Sequence, residues 1–117
     1  MKEKHIKDAE NTLNNFLKAW QSCNLIEMQK YCQKTWVDTH KDAIDFLKLY
    51  ITRDIMSDFR IFDHKIIGDA CIDIYVIVNI LGSLNKAYRF RLICEKAPYE
   101  PSLDGEWGVN PISMKAA

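Results

Sequence analysis

Two apolar runs between residues 68 and 96 constrain the fold of this chain more than any other feature of its sequence. The segment GDACIDIYVIVNILGSLNKAYRFRLICEK alternates with a period of two residues, which is typical of β-strands. Turn-forming residues from Gly82 to Asn85 separate the two runs. The sequence therefore predicts a β-hairpin.

One face of this hairpin is apolar on both strands, because successive side chains of a strand point to opposite faces. Burying the aliphatic side chains of its first strand would contribute roughly 1.5 to 3 kcal/mol each before entropy is subtracted. This face is predicted to cover helices. Its members are Ile72, Ile74, Val76, Val78, Ile80, Tyr88, Phe90, Leu92 and Cys94.

The opposite face has an apolar centre with a charged rim that includes Asp73 and Glu95. Such a pattern is typical of protein interfaces, and it predicts a sheet-to-sheet homodimer. The alternative is an exposed face that tolerates a few strand-forming residues. The predicted dimer residues are Tyr75, Ile77, Arg89, Arg91 and Ile93.

The rest of the chain predicts helices first and strands afterwards, which indicates an α+β fold. Apolar stripes predict a helix over residues 5–22, a second helix capped by Asn24, and a third capped by Asp38 or Thr39. Antiparallel pairing of four strands is expected because the connections are mostly hairpin length. The predicted strands are 55–67, 70–81, 86–97 and 106–115, with a Pro-containing loop between the last two.

Size and charge narrow the class of protein. The chain has 117 residues, which predicts one domain over 1–117, and its 16 basic residues balance its 16 acidic residues. That balance disfavours nucleic acid and anionic membranes as partners, and no apolar run is long enough to span a bilayer. A polar N-terminus without a signal peptide predicts a cytoplasmic protein, although a leader or anchor could have been removed.

Metal and cofactor chemistry has no support in the sequence. The four cysteines form no CxxC pair and have no histidine at zinc-ligand spacing, so they are predicted to be buried free thiols. The three histidines are scattered along the chain. No metal and no cofactor are predicted.

Several segments together resemble the nuclear-transport-factor-2-like superfamily, which includes ketosteroid-isomerase-like and polyketide-cyclase-like proteins. FLKAWQSCNLIEMQKYC is similar to its first two helices, KIIGDACIDIYVIV to its hairpin, and DGEWGV to its closing strand. The resemblance covers about residues 8 to 114. It implies a cone-shaped fold with a curved antiparallel sheet around three helices, a pocket at the open end of the cone and frequent dimerisation through the outer sheet face. It does not choose a function.

An isomerase or cyclase in such a cone would need an inward acid or base and a group that stabilises an oxyanion. The weak candidates are Asp58, His64 and Tyr31. Strict alternation places Asp58 and His64 on one face of the first strand and Asp63 on the other. Because isolated polar residues on a first strand are usually surface residues, no catalytic role is assigned.

Seven aromatic residues could line a cavity for a small apolar ligand, or they could simply form the core. They are Trp20, Tyr31, Trp36, Phe46, Tyr88, Phe90 and Trp107.

Three functions therefore remain open. The first is a non-catalytic, homodimeric ligand-binding or accessory domain, the second a small isomerase or cyclase, and the third a protein-interaction adaptor that uses the outer sheet face.

Overall fold

The computed structural model describes residues 1–82 and 85–116 of the chain, with side chains up to residue 111. Helices precede a sheet whose strand pairs are all antiparallel, so the predicted α+β fold is confirmed. The helices are α1 (Glu3–Gln21), α2 (Leu25–Lys30), α3 (Lys34–Thr39) and α4 (Ala43–Arg53). The strands are β1 (Met56–Gly68), β2 (Cys71–Ile80), β3 (Lys86–Ala97), β4 (Glu100–Pro101) and β5 (Glu106–Ala116).

All three predicted helices are present, as α1, α2 and α4, but the cap of the third was misplaced and α3 is an addition. Asn24 caps α2 as expected, and its side chain accepts a hydrogen bond from the backbone N–H of Glu27. Asp38 and Thr39 cap no helix, because they lie inside the unpredicted helix α3, and α4 begins after Asp42. The sequence did not predict α3, because its six residues are too few to show a helical period.

The sheet follows the predicted meander with one addition. Its order is β1-β2-β3, with β5 on the far side of β3 and the two-residue β4 paired to the end of β3. β4 lies in the segment that was predicted to be a loop. Of the hairpin turn between β2 and β3, Ser83 and Leu84 lie outside the described residues.

β1 departs from a regular strand at three positions. At each position β1 has one extra residue between two residues that pair with consecutive residues of β2. The extra residues are Ser57, Phe62 and Ile67. Each β-bulge bends the strand and shifts the alternation of its side chains. As a result Asp58 lies opposite Asn79 on one face of the sheet, while His64 lies opposite Ile74 on the other.

The helices cover one face of the sheet, here called the inner face, which carries Ile74 and Phe90. All five predicted inward residues of β2 are at most 4% exposed, and Phe90, Leu92 and Cys94 of β3 are at most 1% exposed. The predicted direction of the hairpin is confirmed. The opposite face, which carries Tyr75 and Arg89, is called the outer face below.

The connection between α2 and α3 lies along β5. The N–H of Val109 donates to the carbonyl of Tyr31, and the N–H of Gln33 donates to the carbonyl of Val109. Gly108 permits this approach, because a Cβ atom there would lie 2.5 Å from Cα of Gln33. The start of α3 is thereby held against the end of the sheet.

Candidate functional site

The outer face gathers the five predicted dimer residues. In the register of β2 with β3, Tyr75 lies opposite Arg89, and Asp73 opposite Arg91. Tyr75, Arg89 and their neighbours Ile77, Arg91 and Ile93 are all half-exposed. The five residues share one face, as the alternation of the hairpin predicted, but Asp73 and Arg91 lie between Ile93 and Tyr75.

An ion pair lies at the centre of this face. Nε of Arg91 donates to Oδ1 of Asp73 over 2.8 Å, and Nη2 donates to Oδ2 over 3.0 Å, so the pair is bidentate. Asp73 is only 2% exposed. Its hydrogen bonds to Arg91 raise the pKa of that guanidinium. Asp73 was expected on the charged rim of this face, and it is buried instead because the guanidinium lies over it.

Glu95 also differs from the expected rim position, because it is 2% exposed. Its carboxylate accepts hydrogen bonds from the backbone N–H and the hydroxyl of Thr35 at the start of α3. The same hydroxyl accepts a bond from the N–H of Tyr99 over 2.7 Å. Glu95 therefore joins β3, α3 and the loop before β4, a role that its place in the sequence did not indicate.

A cavity of about 560 Å³ opens beside the outer face, which is within the usual range for small-ligand sites. It lies where β2 begins and where the chain leaves β4. Burial raises the pKa of the Cys71 thiol, so this thiol is neutral at physiological pH. The lining is mostly apolar and consists of Asp69, Ala70, Cys71, Ile93, Pro101, Ser102 and Leu103.

The seven predicted ligand-pocket aromatics belong mainly to the core. Trp20, Trp36, Phe90 and Trp107 are buried, while Tyr31, Phe46 and Tyr88 are partly buried against the core. Their rings contact one another, as in the pair of Trp36 and Phe46 with centroids 5.5 Å apart. Their part in holding a ligand stays a prediction.

Three of these aromatics, together with Tyr50, have polar atoms whose surroundings differ. Nε1 of Trp36 is buried and has no hydrogen-bond partner within the described ranges, whereas Nε1 of Trp20 donates to the carbonyl of Asp54. Burial raises the pKa of Tyr88 and of Tyr50, so both phenols are neutral at physiological pH. Neither phenol is prepared to act as a base.

The three weak catalytic candidates lie in different surroundings. Asp58 is exposed, and its Oδ1 accepts a bond from the N–H of Phe59 over 2.9 Å. His64 is exposed, with Nδ1 3.9 Å from Oε1 of Glu10. Tyr31 lies at the end of α2 beside a cavity of about 220 Å³ that neither of the others lines. The structure does not bring an acid and a base from this set together.

The thiols are free and differ in accessibility. Cys32 and Cys94 are buried, Cys71 is half-buried and Cys23 is exposed, so the prediction of buried thiols holds for only part of the set. Burial raises the pKa of Cys32 to about 12. Among the described residues, no group of three or more His, Cys, Asp or Glu side chains could hold a metal ion.

Comparisons with known proteins leave the chain without a family assignment. No protein-family model matches it, and no match appears among curated proteins or solved structures. Within the described part of the chain, no helix has both the length and the apolar character to cross a membrane.

Proposed function

We propose that this chain is a non-catalytic small-ligand-binding or accessory domain that works as a homodimer joined through its outer sheet face. One observation carries the proposal: the apolar side chains of Tyr75, Ile77 and Ile93 are half-exposed on either side of the Asp73–Arg91 ion pair, whose carboxylate is already buried. Interface cores combine apolar surface with few unpaired charges. The resemblance to the nuclear-transport-factor-2-like superfamily predicts the same arrangement.

The Asp73–Arg91 ion pair makes this face easier to cover. Burying a charge is costly mainly because water is removed from it. Asp73 has already lost its water in the single chain, where only 3% of its side chain is exposed. A second copy would therefore need to desolvate Arg89, Arg91 and the apolar side chains, and the apolar part of that change is favourable.

The cavity beside Cys71 supports the ligand-binding part of the proposal. Cys71 and Ile93 belong both to the cavity lining and to the outer face. A second copy on that face would lie next to the cavity and reduce its contact with water. The lining suits a small, mostly apolar molecule, with Ser102 and Asp69 as its polar groups.

Native mass spectrometry tests the dimer, with size-exclusion chromatography as a second measurement. Wild type is expected to be a dimer, and Ile77→Glu a folded monomer with unchanged helical circular dichroism. Ile26→Glu is the matched control, because Ile26 is 77% exposed on α2. A dimeric Ile77→Glu would show that the interface is elsewhere. A monomeric wild type would refute the homodimer and favour an adaptor whose outer face meets a different protein.

The ligand site needs its own test. Cys71→Trp would fill the cavity, and it is expected to weaken binding of the fluorescent dye anilinonaphthalene sulfonate at least tenfold. Leu81→Trp is the control, because Leu81 is 67% exposed at the end of β2. Equal dye binding by both variants would remove this cavity as the site. A small molecule released when the native sample is denatured would identify the natural ligand.

A further inference from the structure

β1 is the edge strand of the sheet, and it combines exposed backbone with exposed apolar side chains. Phe62, Ile66 and Ile67 are 46%, 47% and 42% exposed. A long edge strand of this kind is a template for pairing with another chain. The free edge of β1 therefore requires some feature that limits such pairing.

The register identifies which backbone groups of β1 point to its free edge. Leu81 donates to the carbonyl of Ile55, so odd-numbered residues of β2 direct their backbone groups toward β1. Cys94 donates to the carbonyl of Ala70, so even-numbered residues face β3. The β1 residues that lie opposite even-numbered residues of β2 must therefore direct their N–H groups away from β2. Phe59, which lies opposite Val78, is one of them.

Two of these outward N–H groups are covered by aspartates. The N–H of Phe59 donates to Oδ1 of Asp58 over 2.9 Å, and the N–H of His64 donates to Oδ1 of Asp63 over 2.8 Å. His64 lies opposite Ile74, so its N–H also points to the free edge. The same local arrangement thus occurs twice in one strand.

A five-residue repeat in the sequence produces this arrangement. Residues 57–61 read SDFRI and residues 62–66 read FDHKI. Each unit consists of a bulged residue, an aspartate, an inner-face residue, a basic outer-face residue and an inner-face isoleucine. Bulges and charges are two means by which edge strands avoid pairing, and here both are combined in each unit.

We propose that Asp58 and Asp63 protect the free edge of β1 from pairing with a second copy of this chain. Each carboxylate occupies an N–H that an incoming strand would need, and it places a negative charge on the edge. A strand that added there would have to displace two hydrogen bonds and desolvate two carboxylates. The inference is independent of the outer-face dimer, which uses β2 and β3.

The main test compares two double variants with the same change in charge. Asp58→Ala with Asp63→Ala removes both protecting carboxylates, whereas Asp38→Ala with Asp45→Ala removes two exposed carboxylates from helices. The first variant is expected to form thioflavin-positive aggregates at least about tenfold faster than the second, because its edge can pair freely. Equal aggregation rates would overturn the proposal.

A second measurement holds even if the alanine variant fails to fold. Asp58→Asn with Asp63→Asn keeps a side-chain oxygen that can accept the same hydrogen bonds. In wild type and in this variant, the amides of Phe59 and His64 should exchange with solvent about fivefold more slowly than unbonded edge amides. Wild-type amides that exchange at the unprotected rate would show that the carboxylates do not cover them. Size-exclusion chromatography of the same samples reports separately whether the outer-face dimer persists.

Discussion

The inner and outer faces of the β2–β3 hairpin are built from alternate residues of the same two strands, yet they differ in nearly every physical property. The inner face is aliphatic and aromatic, and Ile72, Ile74 and Phe90 have no exposed surface. The outer face is half-exposed and is organised around the Asp73–Arg91 ion pair. The same backbone can therefore present two surfaces with separate tasks.

This difference separates the residues that stabilise the fold from those available for recognition. Burial of inner side chains from water supplies much of the free energy of folding. The outer side chains remain partly in water, so they contribute less to folding and can contribute to association. Substitutions at matched positions on the two faces should distinguish these contributions.

The largest effect is expected for alanine substitution on the inner face. Ile74→Ala should lower the free energy of unfolding by about 2 to 5 kcal/mol, because it removes a buried side chain and leaves a cavity. Ile77→Ala, three residues away on the outer face, should cost about 1 kcal/mol. Urea denaturation measures both values. Equal losses would show that the outer face is as deeply packed as the inner one.

The next effect concerns the charged centre of the outer face. Asp73→Ala leaves Arg91 without its bidentate partner, and it should cost about 1.5 to 3 kcal/mol of unfolding free energy. Asp104→Ala is the control, because 84% of its side chain is exposed and its contact with Lys96 spans 3.9 Å. A negligible loss for Asp73→Ala would mean that the ion pair is screened by water as an exposed pair is.

Alkaline pH should destabilise the protein through the side chains whose pKa is raised by burial. Burial raises the pKa of Cys32 from 9.0 to about 12, so the folded state holds a proton that the unfolded state releases. This stability is fully present below pH 9.0 and is lost as the pH rises toward 12. The raised pKa values of Cys71, Cys94, Tyr50 and Tyr88 act in the same direction.

Each such group changes the unfolding free energy by at most about 1.4 kcal/mol per pH unit. The urea midpoint of unfolding should therefore fall as the pH is raised from neutral to several values above 9. The midpoint of Cys32→Ala should fall less steeply with pH than that of wild type. An unchanged midpoint across this range would show that these groups are as hydrated in the folded chain as in the unfolded one.

The smallest expected effect is a difference in alkylation rate between two thiols on opposite faces of the sheet. Cys71 on the outer face is half-buried, whereas Cys94 on the inner face is 1% exposed. Iodoacetamide followed by peptide mass spectrometry should modify exposed Cys23 first, Cys71 next and Cys94 only after unfolding. Protection of Cys71 in the dimer but not in Ile77→Glu would place the second copy over this end of the outer face.

The sequence predicted the hairpin well because its pattern is local and repeated. Five aliphatic residues at alternate positions of β2 leave one orientation that buries them, and the structure has that orientation. The capped start of α2 was equally readable, since Asn24 contacts a backbone group only three residues away. Short helix α3 and the two-residue strand β4 were not readable, because neither is long enough to show a period.

The positions of candidate site residues were harder to predict. The bulge at Phe62 placed Asp58 and His64 on opposite faces, although the repeat that accompanies the bulges at Ser57 and Phe62 can be seen in the sequence. Glu95 offered no signal of its partner, because Thr35 lies 60 residues earlier in the chain. The cavity beside Cys71 was missed for a similar reason, since its lining comes from three separate segments.

The sequence by itself determined the fold class, the apolar inner face of the hairpin and the five residues that share its outer face. It could do so because alternation along a strand depends only on neighbouring residues. Only the tertiary structure decided which outer charges are buried, where the cavity lies and how the edge of β1 is covered. Those features depend on bulges and on contacts between distant segments, which form only when the whole chain has packed.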